Sequence, residues 1–263
     1  MTSDPTQIQH LAQSQFAPVA QAYVHSPTHA HGPDRQRMLE LAALLGPERV
    51  LDVATGGGHM ALALAGVAQH VVASDLTLAM LHAAREHITA QGYPQLSYCR
   101  CPAEALPFAA ASFALVTCRV AAHHFADIQA FVQESARVLK PGGALLVSDH
   151  IGLDDPDLDA FMDRFERWRD PSHVRAYSFA EWQHFCITAG LKLTHTEPYQ
   201  WESYPFAAWT ARIRMPDSER DQLEQWLLAA EPRYHDFFQI EVAEGRVQSL
   251  RGTFGIIMAH KPT

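Results

Sequence analysis

Three glycines in succession, Gly56-Gly57-Gly58, separate a short apolar run from the start of a helical pattern. Gly56 and Gly58 are placed to take backbone angles that a Cβ forbids, and the missing side chains let a ligand touch the main chain. His59-Met60-Ala61 then open a helix whose first amides have no partner inside it. A nucleotide-like ligand suits such a loop. So does a tight strand-to-helix turn with nothing bound, and Gly56-x-Gly58-x-x-Ala61 also fits the dinucleotide fingerprint.

Two carboxylates narrow the ligand. Asp75 ends the second apolar run, 19 positions beyond Gly56. An ionised carboxylate there is acceptor-only and takes both hydroxyl protons of a ribose. The competing role, capping the following helix, falls to Thr77. Asp52 lies four positions before Gly56. Its charge repels a pyrophosphate and attracts a cationic amine or a sulfonium; S-adenosylmethionine is a ligand of that kind.

His123 and His124 follow the fourth apolar run and Asp149-His150 the fifth. In an open parallel sheet both stand on the edge where ligands sit. An imidazole titrates near pH ~6.5 and accepts a proton around neutrality. His123, His124 and His150 are therefore the candidate catalytic residues, with packing against a ligand or support of the loop as the competing role. The chain has 16 His, and His25, His29 and His31 cluster in a Pro-rich stretch. No Cys joins them and a metal site needs further converging ligands, so no metal is expected. Cys99, Cys101, Cys118 and Cys186 are too few for a disulfide framework and fit a reducing, cytoplasmic compartment.

The elements that must position these groups show in the apolar pattern. Residues 50–54, 71–75, 96–101, 113–118 and 144–149 read as short buried strands, rich in Val, Leu and Ala without clean alternation. Helices are expected between them, over 77–91 with Thr77 as its cap and Gly92 as its end, and over 127–140 until Pro141-Gly142-Gly143. Strand and helix alternating in this way predict a parallel sheet covered on both faces. Further on, 154–168 is helical with Leu158, Phe161, Phe165 and Trp168 on one stripe. Ser178 and Glu181 form a capping box for a helix ending near Gly190. Residues 191–196 and 253–260 are strands, and 201–250 is mostly helical. The first 33 residues hold a short helix and then, over 26–33, an irregular loop.

Of the 263 residues 48% are apolar and 19% charged, and 20 Lys and Arg face 29 Asp and Glu for a formal charge of -9. That describes a globular protein with a large core and an acidic surface, for which nucleic acid is not an expected partner. No apolar run is long enough to span a bilayer, and Met1-Thr2-Ser3-Asp4-Pro5 shows no leader pattern.

Taken together, residues 50–58, Asp75, Ala103-Glu104-Ala105-Leu106-Pro107-Phe108 and Arg137-Val138-Leu139-Lys140-Pro141-Gly142-Gly143 resemble the successive motifs of class I S-adenosylmethionine-dependent methyltransferases, in the ubiquinone/menaquinone-biosynthesis-like branch that acts on small molecules. The resemblance covers about 35–153 well and the C-terminal third less well. It implies a Rossmann-like α/β fold: a seven-stranded, mostly parallel sheet with an antiparallel last strand, helices on both faces and helical cap insertions. One methyltransferase domain would comprise an N-terminal lid (1–33), a cofactor-binding core (34–153), a helical cap (154–176 and 201–250), and 177–200 with 251–263 completing the core. Ala54 through Gly58 would line the methionine part of the cofactor. Asp52 would hold its amino group, Asp75 its ribose and Leu76 the adenine face. Ala103 would offer its amide to the adenine edge, with Glu104 nearby. Arg119 opens the loop that holds the methionine end through its main chain, His124 lies beside the cofactor, and Tyr23 folds over it. Relatives often carry Asp before the Ala-Glu pair; Pro102 stands there instead, with neither a side-chain acceptor nor an N–H.

In such an enzyme methyl transfer is an in-line displacement, so the protein chiefly aligns groups and excludes water. The aromatics of the C-terminal insert, Trp201, Tyr204, Phe206, Trp209, Trp226, Tyr234, Phe237 and Phe238, read as core or as a cap that, with Arg212 or Arg214, would suit an aromatic or amphipathic small-molecule acceptor. The alternatives are a cofactor-binding regulatory protein without turnover and an NAD-dependent oxidoreductase.

Overall fold

A run such as Val50-Leu51-Asp52-Val53 sends successive side chains to opposite faces, and when both faces are apolar the strand must be covered twice. The computed structural model, which describes residues 4–199 and 203–263, bears this out. The chain begins with α1 (Pro5–Phe16), a short 3-10 turn, α2 (Ala20–Val24), α3 (Pro27–His31) and α4 (Pro33–Leu45). The sheet unit follows as β1 (Arg49–Val53), α5 (His59–Leu64), β2 (His70–Asp75), α6 (Leu78–Ala90), β3 (Ser97–Arg100), β4 (Phe113–Arg119), α7 (Ile128–Val138) and β5 (Leu139–His150). Next come α8 (Pro156–Arg169), α9 (Phe179–Thr188) and β6 (Lys192–Tyr199). The remainder is β7 (Tyr204–Pro205), α10 (Phe206–Arg212), α11 (Asp217–Leu228), α12 (Pro232–Phe238), β8 (Glu241–Ala243), β9 (Arg246–Leu250) and β10 (Phe254–His260).

The main sheet has seven strands in the order β3-β2-β1-β4-β5-β10-β6. β10 runs antiparallel between β5 and β6, and the other neighbours pair parallel. Leu51, Val53, Val116 and Val147 face α7 and α9, meeting Phe131, Val132 and Trp182. Val50, Leu115 and Leu146 face α4, α5 and α6, meeting Met38, Leu64 and Ile88. The chain runs outward through β2 and β3 and then returns to β4 on the other side of β1. The order therefore reverses between β1 and β4, and ligand crevices of open α/β sheets form at the carboxyl end of such a switch point. Among the described residues no helix is long and apolar enough to cross a membrane.

The structure corrects several expectations. Residues 26–33 are not a loop: Pro27 and Pro33 begin α3 and α4, where a missing N–H costs no hydrogen bond. No helix joins β3 to β4; Pro102, Pro107 and a left-handed Ala111 (φ 54°) make that link a series of turns. Helix α7 stops at Val138, and Leu139 and Lys140 already belong to β5. The 201–250 insert holds, besides α10, α11 and α12, a second sheet in the order β7-β9-β8. The Ser178–Glu181 capping box is present in full.

Candidate active site

One cavity opens at the carboxyl ends of β1, β2, β4 and β5. Most of the residues singled out above line it: Tyr23, Asp52, Ala54, Gly56, Asp75, Leu76, Ala103, Glu104, Arg119, His123, His124 and His150. Gly58 does not. At φ +83° it turns the chain into α5, and a Cβ would lie 2.9 Å from Ile88 Cδ1 and 3.0 Å from Ala84 Cβ, so its task is helix packing. Gly57 lines the cavity and lets α2 approach: a Cβ there would meet the Val24 nitrogen at 3.0 Å. Gly56 (φ +54°) has open space where its Cβ would be, leaving a cradle of bare backbone. Ala54 (φ 53°) and Val120 (φ 51°), at the ends of β1 and β4, are also left-handed. For a β-branched residue that conformation is strained, and such strain clusters at functional sites.

Asp75 is 8% exposed, and its oxygens accept from the Gly56 amide (3.0 Å) and the Thr77 amide (2.8 Å). It therefore fastens the glycine loop and opens α6 at once, while the Thr77 side chain caps nothing, contrary to expectation. Burial raises the Asp75 carboxyl to about 6 against these amide bonds. Asp52 is 1% exposed and each oxygen accepts a hydroxyl at 2.7 Å, from Thr55 and Thr117. Burial likewise raises it to about 6. Both carboxylates are ionised at neutral pH and make this end of the cavity negative.

The N-terminal helices close over the same loop. His59 Nε2 donates to the Tyr23 carbonyl (3.1 Å), and Gln13 donates to the Leu76 carbonyl (3.0 Å). Glu104 accepts from the Ala126 amide (2.9 Å) and from Gln9 (3.3 Å), so its carboxylate ties α1 to the loop after β4. The Arg119 side chain turns toward the N-terminal helices. Its Nε and Nη2 grip Asp34 at 2.5 and 2.8 Å, and its Nη1 donates to the His29 carbonyl at 2.7 Å. Arg119 also lines the cavity.

At the opposite side four imidazoles converge. His123 lies 4.0 Å from His124, 4.6 Å from His150 and 5.2 Å from His173 by ring centroids. Asp149 accepts from the amides of His123 (3.0 Å) and His150 (2.7 Å), and its Oδ1 lies 2.5 Å from His123 Nδ1. Burial raises the Asp149 carboxyl above its usual range, with the charge and amide of His150 pulling the other way. Burial, then His124 and Arg169, hold His123 well below the usual imidazole range, so it is neutral at pH 7. The network assigns the His123 proton to Nδ1, donated to Asp149, and leaves Nε2 as a proton acceptor. His124 Nδ1 donates to the Ser172 carbonyl (3.0 Å), holding the cap loop. His150, also pushed well down by burial, packs against Phe254 with ring centroids 4.2 Å apart and planes tilted by 40°. Among the described residues no group of three or more His, Cys, Asp or Glu is arranged to hold a metal ion.

Of the insert aromatics, Tyr204 and Trp209 line the cavity. Phe206, Trp226, Tyr234 and Phe238 pack with them in one apolar cluster without lining the cavity, Phe237 is exposed, and Trp201 lies outside the described residues. Arg212 lines the cavity, whereas Arg214 is exposed in the turn after α10. Glu166, Arg169 and Asp170 also line it, and sequence reasoning missed them. The signal was present: Glu166 and Arg169 are one turn apart on α8, flanking the apolar stripe at Phe165.

Comparison with known proteins identifies the class. The family model described as a methyltransferase domain matches residues 51–147. The chain is 35% identical over 226 residues to the uncharacterized methyltransferase YcgJ of Bacillus subtilis (strain 168), spanning 86% of this chain and 88% of that one. A crystal structure of a Bacillus halodurans C-125 protein named as a methyltransferase superposes with a TM-score of 0.85 at 39% identity, covering 88% of this chain and 100% of that one. A demethylmenaquinone methyltransferase of Thermus thermophilus is 39% identical over 115 residues, 43% of this chain and 52% of that protein. The chain belongs to the methyltransferase domain family.

Proposed function

We propose that the protein transfers a methyl group from S-adenosylmethionine to a small-molecule acceptor. The carrying observation is the pairing of Asp75 at the end of β2 with an open, Cβ-free cradle at Gly56 and a buried anionic Asp52 beneath it. The residues fit the cofactor: Asp75 would take the ribose hydroxyls, Asp52 would favour its cationic end, and Tyr23 with α2 would cover it. Leu76 and Ala103 would flank the adenine, where Pro102 removes one side-chain contact.

When bound, the cofactor supplies an electrophilic methyl on sulfur, already carried by a good leaving group. The chain's own part is to hold the acceptor in line, to exclude water under the cap and the N-terminal helices, and to receive a proton where the nucleophile must lose one. His123 Nε2 would be the acceptor for that proton, with Asp149 fixing its tautomer and balancing the imidazolium charge. His124 and His150 flank His123 as positioning residues. An oxidoreductase reading finds no support in the family comparison or in the charge of Asp52. A non-catalytic role would leave the His123–Asp149 pair without a purpose.

Calorimetric titration tests this reading. S-adenosylhomocysteine is expected to bind and NADH not to bind. Asp75→Ala is expected to weaken S-adenosylhomocysteine by about 1.5–3 kcal/mol, the range for hydrogen bonds to a charged group. The carboxylate accepts both hydroxyls only when ionised, and in the free protein it titrates at about 6. Affinity is therefore expected to be flat above that pH and to fall as pH drops below it. An unchanged dissociation constant in Asp75→Ala, or binding of NADH in its place, overturns the assignment.

A further inference from the structure

One wall of the cavity, reaching as far as Tyr23, carries charges that methyl transfer itself does not use. Helix α8 presents Glu166 and, one turn on, Arg169, with Asp170 at its end, and α10 contributes Arg212. Arg169 is 9% exposed. Its Nε and Nη2 reach the Trp209 carbonyl at 3.4 Å, its Nη1 lies 3.7 Å from Asp170, its guanidinium sits 5.2 Å from the Trp209 ring centroid, and it also hydrogen-bonds the Tyr23 phenol. The charges of Arg169 and Arg212 act on the same two phenols, Tyr23 and Tyr204. Burial and then Arg169 lower Arg212, as expected for two guanidiniums sharing a desolvated space. Glu166 is 2% exposed, and burial lifts its carboxyl to about 7. Its Oε1 has no hydrogen-bond partner and faces an equally unpartnered His150 Nδ1 at 3.8 Å.

An aromatic wall joins these charges to the imidazoles. His150 meets Phe254 at 4.2 Å, Phe254 meets Tyr204 at 6.2 Å, and Tyr204 stacks on Trp209 at 5.8 Å and 3°. All four side chains line the cavity.

We propose that this part of the cavity is the acceptor subsite and that it takes a planar organic acid, with its carboxylate on Arg169 and Arg212 and its body along Phe254, Tyr204 and Trp209. The proposal rests on the methyl-transfer reading. Guanidinium donors match a carboxylate in paired geometry, and the match is strongest where water is excluded. Asp170 and the partly ionised Glu166 beside them disfavour a dianion, so a single carboxylate suits the site better than a phosphate. A hydroxyl on the ligand can donate to one of the two orphaned atoms, Glu166 Oε1 or His150 Nδ1.

The test is calorimetric titration of hydroxybenzoates and hydroxycinnamates, each against its carboxamide and against phenyl phosphate, into the full chain saturated with S-adenosylhomocysteine. At least one acid is expected to bind about tenfold or more tighter than its carboxamide, and Arg169→Gln and Arg212→Gln are each expected to remove that preference. S-adenosylhomocysteine should bind Arg212→Gln as it binds wild type, while Arg169→Gln, which also frees the Tyr23 phenol, is read through the acid-over-carboxamide preference alone. Arg212, half-buried, provides the readout if Arg169→Gln does not fold. Acids binding no better than their amides, or a preference that survives both substitutions, overturns the subsite. Tighter binding of phenyl phosphate overturns the carboxylate. A loss of S-adenosylhomocysteine affinity equal to the loss of acid affinity would mean that the arginines hold the cofactor's own carboxylate, and the acceptor subsite falls. If wild type fails to bind S-adenosylhomocysteine, the methyl-transfer reading fails instead, and the same acid titrations on the ligand-free protein still decide the subsite.

Discussion

Replacing His123 by glutamine is expected to slow methyl transfer by about 100- to 10,000-fold at saturating substrates, the usual contribution of a positioned base. Glutamine keeps a polar group beside Asp149 but accepts no proton at neutral pH. The buried, neutral imidazole with Nδ1 2.5 Å from Asp149 is what makes the loss large. Asp149→Asn is expected to act in the same direction, because an amide no longer selects the tautomer with Nε2 free. Cofactor affinity should hardly change in either variant, since Asp52 and Asp75 lie on the other side of the cavity. Single-turnover rates measured with an acceptor from the acid series check this. Unchanged rates would mean that the acceptor arrives deprotonated and that alignment alone carries the reaction.

The largest expected effect on stability is at Arg119. Its ion pair with Asp34 is sealed, the side chains being 6% and 0% exposed. Arg119→Met would leave the buried Asp34 carboxylate, among the described residues, with the Ser148 hydroxyl at 3.1 Å as its remaining hydrogen-bond donor. It would also release the His29 carbonyl that fastens α3. Breaking such a pair from one side costs about 3–5 kcal/mol, which urea unfolding at neutral pH would register. Pairing it with Asp34→Asn should recover part of the loss, since the cost lies chiefly in the unmatched charge. A change below about 1 kcal/mol in Arg119→Met, the scale of an exposed pair, would contradict the geometry.

How much of this was legible in the sequence follows from how local each signal is. β1, β2, β4 and β5 showed because both faces of each are covered, and a doubly buried strand is an unbroken apolar run. The glycine loop showed because its backbone angles demand glycine, although Gly57, needed for the approach of α2, looked no different from its neighbours. Asp75 was read for its ligand, but its bonds to Gly56 and Thr77 depend on β1 and β2 lying side by side. The β7-β9-β8 sheet was hidden because Tyr204 pairs with Leu250 across most of the insert. Likewise Ser26 to Pro33 looked irregular because prolines break helices in the interior, whereas Pro27 and Pro33 stand at helix starts. His123 and His150 were placed on the right edge by strand order alone, while their grouping with His173, Glu166 and Arg169 needed the cap to fold over them.

Crystals of the protein grown with S-adenosylhomocysteine would test the central claim most directly. Both ribose hydroxyls are expected on the Asp75 carboxylate, with the amino-acid end lying over Ala54 to Gly57, above Asp52. Electron density for the ligand away from this crevice, or the crevice filled by the pyrophosphate of NADH in a parallel soak, would contradict it.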